Sequence, residues 1–239
     1  MNRPVIQSED LNLELQSLDA GDRLRLLVDT FGDGLVASTS FGLQSAVMLD
    51  LIARHAPTVP VIFIDTGYLF PETYQYGEEL VERFGTDLRV FQPKLSAARM
   101  ESLHGKLWEQ GTEGLDRYGI LTKVEPMDRA LKELQATAWI SGLRRSHSST
   151  RAERPFAERQ NRMMKVYPIL DWVDARVSAY MHDRHLPQHP LAAQGYLTMG
   201  DWHSTAPALN GLDAESSRFN GQKYECGLHL ESGETDFQI

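Results

Sequence analysis

The chain has 239 residues, 41% apolar and 24% charged, usage that suits a globular protein with a sizeable core and excludes a disordered or fibrous one. Its formal net charge of −9 argues against a general nucleic-acid binder, which needs a cationic surface. No apolar run approaches a membrane span or a signal-peptide core, and the single cysteine, Cys226, rules out an internal disulfide or a multi-cysteine cluster within the chain, so a soluble, cytoplasmic protein is expected.

A helical, leucine-rich start (Leu11, Leu15, Leu18, Leu24, Leu27) is followed by short apolar runs that alternate with amphipathic ones. "GLVAST" (34–39), "VPVIFID" (59–65) and "LRVFQ" (88–92) read as strands, with helices at "SAVMLDLIARH" (45–55) and "PETYQYGEELVERF" (71–84) between them. A further helix is predicted at "KVEPMDRALKEL" (123–134), with Pro126 near its first turn. "TAWISG" (137–142) and "MMKVYPIL" (163–170) read as more strands, and "VDARVSAYMHDRH" (173–185) as the last helix. The pattern predicts an α/β fold: a doubly wound, mostly parallel sheet flanked by helices, occupying about 1–210, with 211–239 as a mobile C-terminal tail. Ligands in such sheets sit at the C-terminal ends of the strands, where the strand order switches.

Three loops at those ends carry distinctive chemistry. In "STSFGLQSAV" (38–47), Ser38, Ser40 and Ser45 offer hydroxyl donors, Gly42 lets backbone approach a ligand, and helix amides starting near Gln44 point at an anion. The loop lacks the Gly-Lys-Ser/Thr of a Walker motif, and simple helix capping would also explain Ser40 or Ser45. "FIDTGYLFPET" (63–73) places Asp65, Thr66 and Gly67 after a strand; a plain helix-start turn with Pro71 is the alternative. "SGLRRSHSSTRAERP" (141–155) interleaves arginines with hydroxyls, a composition suited to oxyanions. From Leu143 to Lys165 seven basic residues face two acidic ones, a local charge of +5 that could focus field on a small polyanion or merely coat a solvated face.

The tail "SSRFNGQKYECGLHLESGE" has no periodic apolar face, so Cys226 is expected to be exposed, where thiolate character makes a cysteine reactive. Glu225 opposes that thiolate, and His229 or the arginines of the third loop could offset it.

Taken in order, "STSFGLQS", "IDTG", "KVEP", "SGLRRSHSSTR", "VYPILDW", "GYLTMGDWHST" and "YECGLH" resemble the phosphoadenylyl-sulfate (PAPS) and adenylyl-sulfate (APS) reductases over nearly the whole chain. The resemblance implies a PP-loop adenine-nucleotide α-hydrolase-like fold. It also implies that Ser38 to Ser45 hold the phosphate and sulfate end of the nucleotide, and that Asp65, Thr66 and Gly67 lie along the nucleoside. Arg144, Arg145 and Arg151 would face the anionic groups, Lys123 would approach the sulfate, and His229 would bind the sulfate end. Cys226 would attack the sulfur.

The APS-reducing branch carries paired cysteines for a [4Fe–4S] cluster, which one cysteine cannot supply. The resemblance therefore points to PAPS, with cluster-free APS reduction as the alternative. No metal or bound cofactor is expected, and thioredoxin, or else glutaredoxin, is the implied external reductant. The family often forms homodimers. The rival reading is a PP-loop ATP pyrophosphatase of the sulfate adenylyltransferase kind, but such loops read Ser-Gly-Gly-x-Asp-Ser where this chain has Phe41, Gly42, Leu43 and Gln44. A non-catalytic nucleotide sensor would leave Cys226 without a purpose.

Overall fold

The computed structural model describes residues 8–147, 151–160 and 163–208. Helices α1 (Ser8–Ser17) and α2 (Ala20–Phe31) lead into β1 (Leu35–Thr39), α3 (Ser45–His55), β2 (Val61–Ile64), α4 (Pro71–Phe84) and β3 (Leu88–Phe91). Then come α5 (Ala97–His104), α6 (Gly111–Gly119), a π-helical turn (Ile120–Val124) and α7 (Glu125–Glu133). The chain continues through β4 (Ala138–Ile140), β5 (Ala157–Gln160), β6 (Met163–Val166) and α8 (Asp174–Asp183).

Local chemistry accounts for many of these boundaries. Asp19 caps α2 by accepting a hydrogen bond from the Asp22 amide at 2.9 Å. Pro71 opens α4 and Gly85, at φ 61°, closes it in the left-handed conformation with its amide on the Val81 carbonyl.

The six strands run in the order β3-β2-β1-β4-β6-β5, parallel except for β5, which pairs antiparallel with β6. Side chains alternate across the sheet. Leu35, Ala37, Val61, Phe63, Ile140 and Val166 face the larger core, with α2, α3, α4 and α8, while Val36, Ile62 and Trp139 face a smaller one under α7. Each buried Leu or Ile contributes about 1.5–3 kcal/mol relative to exposure. Together they hold the strand ends that bear the loops.

The five apolar runs predicted as strands all form parallel strands. β5 was not predicted, because "AERQ" is an edge strand with one well-buried side chain and no apolar alternation. Helices α5 and α6 were not predicted either, and the helix expected over 123–134 begins as the π turn that contains Lys123. The chain passes from β1 to β2 on one side and returns to β4 on the other. The switch point between β1 and β4 opens a cavity of ≈ 710 Å³.

Candidate active site

The first wall is the turn from β1 into α3. Ser38, Ser40, Gly42, Gln44 and Ser45 all line the cavity. The conformational demand of this turn falls on Phe41 rather than on Gly42: Phe41 sits at φ 47°, an uncommon region for an aromatic residue. Its buried ring packs edge-on against Phe63 at 4.7 Å and over Gly77 of α4, where a Cβ would lie 2.8 Å from the ring. At Gly42 an added Cβ would meet its nearest neighbour, Ser40 Oγ, at 3.4 Å, ordinary contact. α3 has no side-chain cap; its Ser45 and Val47 amides donate to the Gly42 and Gln44 carbonyls at 3.0 and 3.1 Å, and the positive end of its dipole lies at the turn that lines the cavity.

The second wall is the loop after β4. Arg144 lines the cavity, yet it is 1% exposed and spends its guanidinium on protein acceptors. It donates to the side-chain oxygen of Gln44, to Asp174 Oδ1 at 2.8 Å, and to Trp172 O and Ser146 Oγ at 3.3 Å each. A planar fork suits that bridging role, and here it ties the β1 and β4 loops together.

Arg145, expected to face an anion, instead donates to the Arg154 carbonyl at 3.1 and 2.8 Å and lies over Phe156, outside the cavity lining. Arg154 pairs with Glu158 at 2.7 Å, and Lys165 is buried over the Trp139 ring at 4.2 Å. Arg145, Arg154 and Lys165 are thus engaged with protein groups and lie outside the cavity lining. From the same basic stretch, Arg144 and Arg151 reach the cavity wall.

The third wall joins the β2 loop, the π turn and residues 196–201. Thr66 lines the cavity, whereas Asp65 and Gly67 do not. Asp65 holds its own turn by accepting from Tyr74 Oη at 2.6 Å, Gln92 Nε2 at 2.8 Å and the Gly67 amide at 2.9 Å. Gly67, at φ 78°, adopts the backbone conformation that favours glycine.

Lys123 lines the cavity beside Thr66, and both bind Asp201. Lys123 Nζ lies 2.6 Å from Asp201 Oδ2, and Thr66 Oγ1 donates to Oδ1 at 2.5 Å. Burial opposes ionisation of Asp201, but the Lys123 charge and hydrogen bond, with the Thr66 hydroxyl, hold its carboxyl down at about 2. Three elements distant in sequence thus meet on one fully buried carboxylate. The stretch "GYLTMGDWHST" gives no sign of this role for Asp201, because a lone Asp after Gly carries no signal of its partners. Cys226 and His229, the expected nucleophile and sulfate ligand, lie outside the described residues.

A doubly wound sheet with a hydroxyl-rich turn, a helix start without a side-chain cap and a half-buried lysine at its switch point defines an α/β protein of the PP-loop class. Similar chains narrow that class. The profile of the phosphoadenosine phosphosulfate reductase domain matches residues 34–207. The phosphoadenosine 5′-phosphosulfate reductase of Photobacterium profundum is 47% identical over 232 residues, covering 97% of this chain and 92% of that protein. The Thiocapsa roseopersicina protein of the same name is 48% identical over 220 residues, 92% of each chain. Among solved structures, phosphoadenylyl-sulfate reductase from Candida auris, in a phosphate complex, matches with a TM-score of 0.75 at 35% identity, over 86% of this chain and 100% of that one. FMN adenylyltransferase from Candida glabrata shares the fold at 15% identity, with a TM-score of 0.59 over 87% of this chain and 70% of that one. The chain belongs to the phosphoadenosine phosphosulfate reductase family.

Proposed function

We propose that this chain reduces 3′-phosphoadenylyl sulfate to sulfite and adenosine 3′,5′-bisphosphate, in a soluble, cytoplasmic step of assimilatory sulfate reduction. The observation that carries the reading is the cavity at the switch point, built from the residues by which the chain resembles its family. Serine hydroxyls and the positive end of the α3 dipole would take the phosphate–sulfate end, and Thr66 would lie beside the nucleoside. Lys123 and Arg151 would balance charge on the transferred group and the leaving phosphate, with His229 at the sulfate. Asp65, Gly67, Arg144 and Arg145 act by holding the loops in place. Residues 1–210 form the nucleotide-binding domain and 211–239 the segment that bears the nucleophile.

The chemistry follows from having one thiol. The Cys226 thiolate attacks the sulfate sulfur, the S–O bond breaks with its electron pair passing to the phosphate oxygen, and an S-sulfocysteine forms. A thiolate of an external dithiol then attacks Cys226 Sγ and expels sulfite, and the second thiol of that donor resolves the mixed disulfide, supplying two electrons in all. The donor is thioredoxin, with glutaredoxin as the second choice, and Cys226 must therefore meet both nucleotide and protein. With one cysteine the chain alone cannot ligate a four-cysteine iron–sulfur cluster, which favours PAPS over APS.

The test compares sulfite release and nucleotide binding in Cys226→Ser. Sulfite release should vanish while adenosine 3′,5′-bisphosphate still binds; a variant that turns over would refute the nucleophile assignment.

A further inference from the structure

We infer that Trp139 is a positioning residue that fixes Ser38 as a hydrogen-bond donor to an anionic oxygen of the ligand. The inference rests on the substrate reading above and adds a residue to which neither the sequence nor the resemblance gives a role. It starts from strand register. Val36 of β1 lies opposite Trp139 of β4, so Ser38, two residues farther along β1, is on the same face and diagonal to the indole. The Trp139 Nε1–H donates to Ser38 Oγ at 2.8 Å, and both residues line the cavity.

A serine hydroxyl has one proton and two lone pairs, whereas an indole nitrogen is a donor only. Once Trp139 occupies a lone pair, the Ser38 proton must point elsewhere. Among the described residues it has no protein acceptor, and the cavity is where Ser38 opens. Trp139 itself is held firmly: it is 5% exposed, and Lys165 lies 4.2 Å above its ring from the neighbouring strand β6. A cation over the indole face withdraws electron density and strengthens the N–H as a donor. The arrangement makes Ser38 a preset donor that suits an ionised phosphate or sulfate oxygen and disfavours a ligand group that itself donates.

The test measures PAPS affinity by calorimetry in the Cys226→Ser background, so that it does not depend on turnover. Four chains are compared: Trp139 intact, Trp139→Phe, Ser38→Ala, and the two together, each confirmed folded by circular dichroism. A hydrogen bond to a charged group supports a loss of about tenfold for Trp139→Phe alone. In the Ser38→Ala background the same change should cost less than about twofold, because the hydroxyl it orients is gone.

A fifth chain carries benzothienylalanine at position 139, which keeps the shape of tryptophan but has no N–H. It should lose affinity as the phenylalanine variant does. Full affinity in that chain, or an equal loss with and without Ser38, would reduce Trp139 to a packing residue and overturn the inference. If the chain with Trp139 intact binds no PAPS, the substrate reading fails instead. The same comparison with inorganic phosphate then decides the inference, since a coupling that persists upholds it and one that vanishes ends it.

Discussion

Two regions deliver a cation to the same cavity, the loop after β4 with Arg144 and the π turn before α7 with Lys123, and they do so in opposite ways. Arg144 is wrapped by Gln44, Ser146, Trp172 and Asp174, and its fork is used to hold two loops in register. Lys123 rests on the single carboxylate of Asp201, and an ammonium has three donors. A guanidinium that lines a cavity can therefore be scaffold, which leaves the proposed charge on the ligand to Lys123. Arg145, next in the chain, supports the same lesson by bonding to the Arg154 carbonyl.

The contrast is sharpest in variants of the two cations. Lys123→Ala should lower kcat/KM for PAPS by about 10²–10³, the usual cost of removing a group that stabilises developing charge. It should also destabilise the fold, because Asp201 is left fully buried without its counter-charge. Adding Asp201→Asn should recover most of that stability and none of the activity, measured by urea unfolding beside a sulfite assay. Arg144→Ala should instead cost about 1–3 kcal/mol of stability, because it removes a fully buried side chain and the hydrogen bonds that tie the two loops, and Arg144→Lys should not restore it, lacking the fork. An Arg144→Ala chain as stable as the parent that merely lost PAPS affinity would break the comparison and make Arg144 a ligand.

Smaller effects probe how the anion turn is held. Gly77→Ala would push a Cβ to 2.8 Å from the Phe41 ring, so overpacking of about 1–3 kcal/mol and weaker nucleotide binding should appear together. Gly42→Ala should leave stability within about 0.5 kcal/mol, since its Cβ meets ordinary contacts, yet weaken binding from the cavity side. Equal losses of stability in both would show that the turn depends on glycine at 42 rather than on the Phe41 anchor.

The smallest effect is a pH dependence away from the site. Burial holds the His189 imidazole below its usual range, with Nδ1 accepting from the Leu191 amide and Nε2 against Thr73 Oγ1. The unfolded chain takes up this proton below about pH 6.5 while the folded chain resists it. Stability should thus be flat above that pH and fall below it, by at most about 1.4 kcal/mol per unit from this group. Urea midpoints between pH 7.5 and 5 in the parent and in His189→Gln should diverge on the acid side; parallel curves would remove His189 from the account.

How far the sequence reveals this molecule depends on how local each signal is. Strands such as β1 and β2 were legible because their apolar runs are buried on both faces, and α3 and α4 because their periodicity and the Pro71 and Gly85 boundaries are written within a few residues. β5 is polar and depends on pairing with β6, so nothing within it announces a strand. The serine turn stands out in the sequence as a polar segment at a strand end and Lys123 through the family resemblance, and both line the cavity. The roles of Arg144, Arg145 and Asp201 were not legible, because each depends on a partner such as Gln44, Phe156 or Thr66, brought close by the fold. Trp139 read only as a strand residue; its tie to Ser38 depends on the β1–β4 register.

In the proposed reaction one thiol receives the sulfo group before any reductant acts. The direct measurement is the intact mass of the protein after incubation with PAPS and without a dithiol, followed by peptide mapping. A single added SO₃ group is expected on the peptide containing Cys226, removed with release of sulfite when reduced thioredoxin is supplied. An unmodified protein that nonetheless forms sulfite once thioredoxin is added would contradict that order of steps.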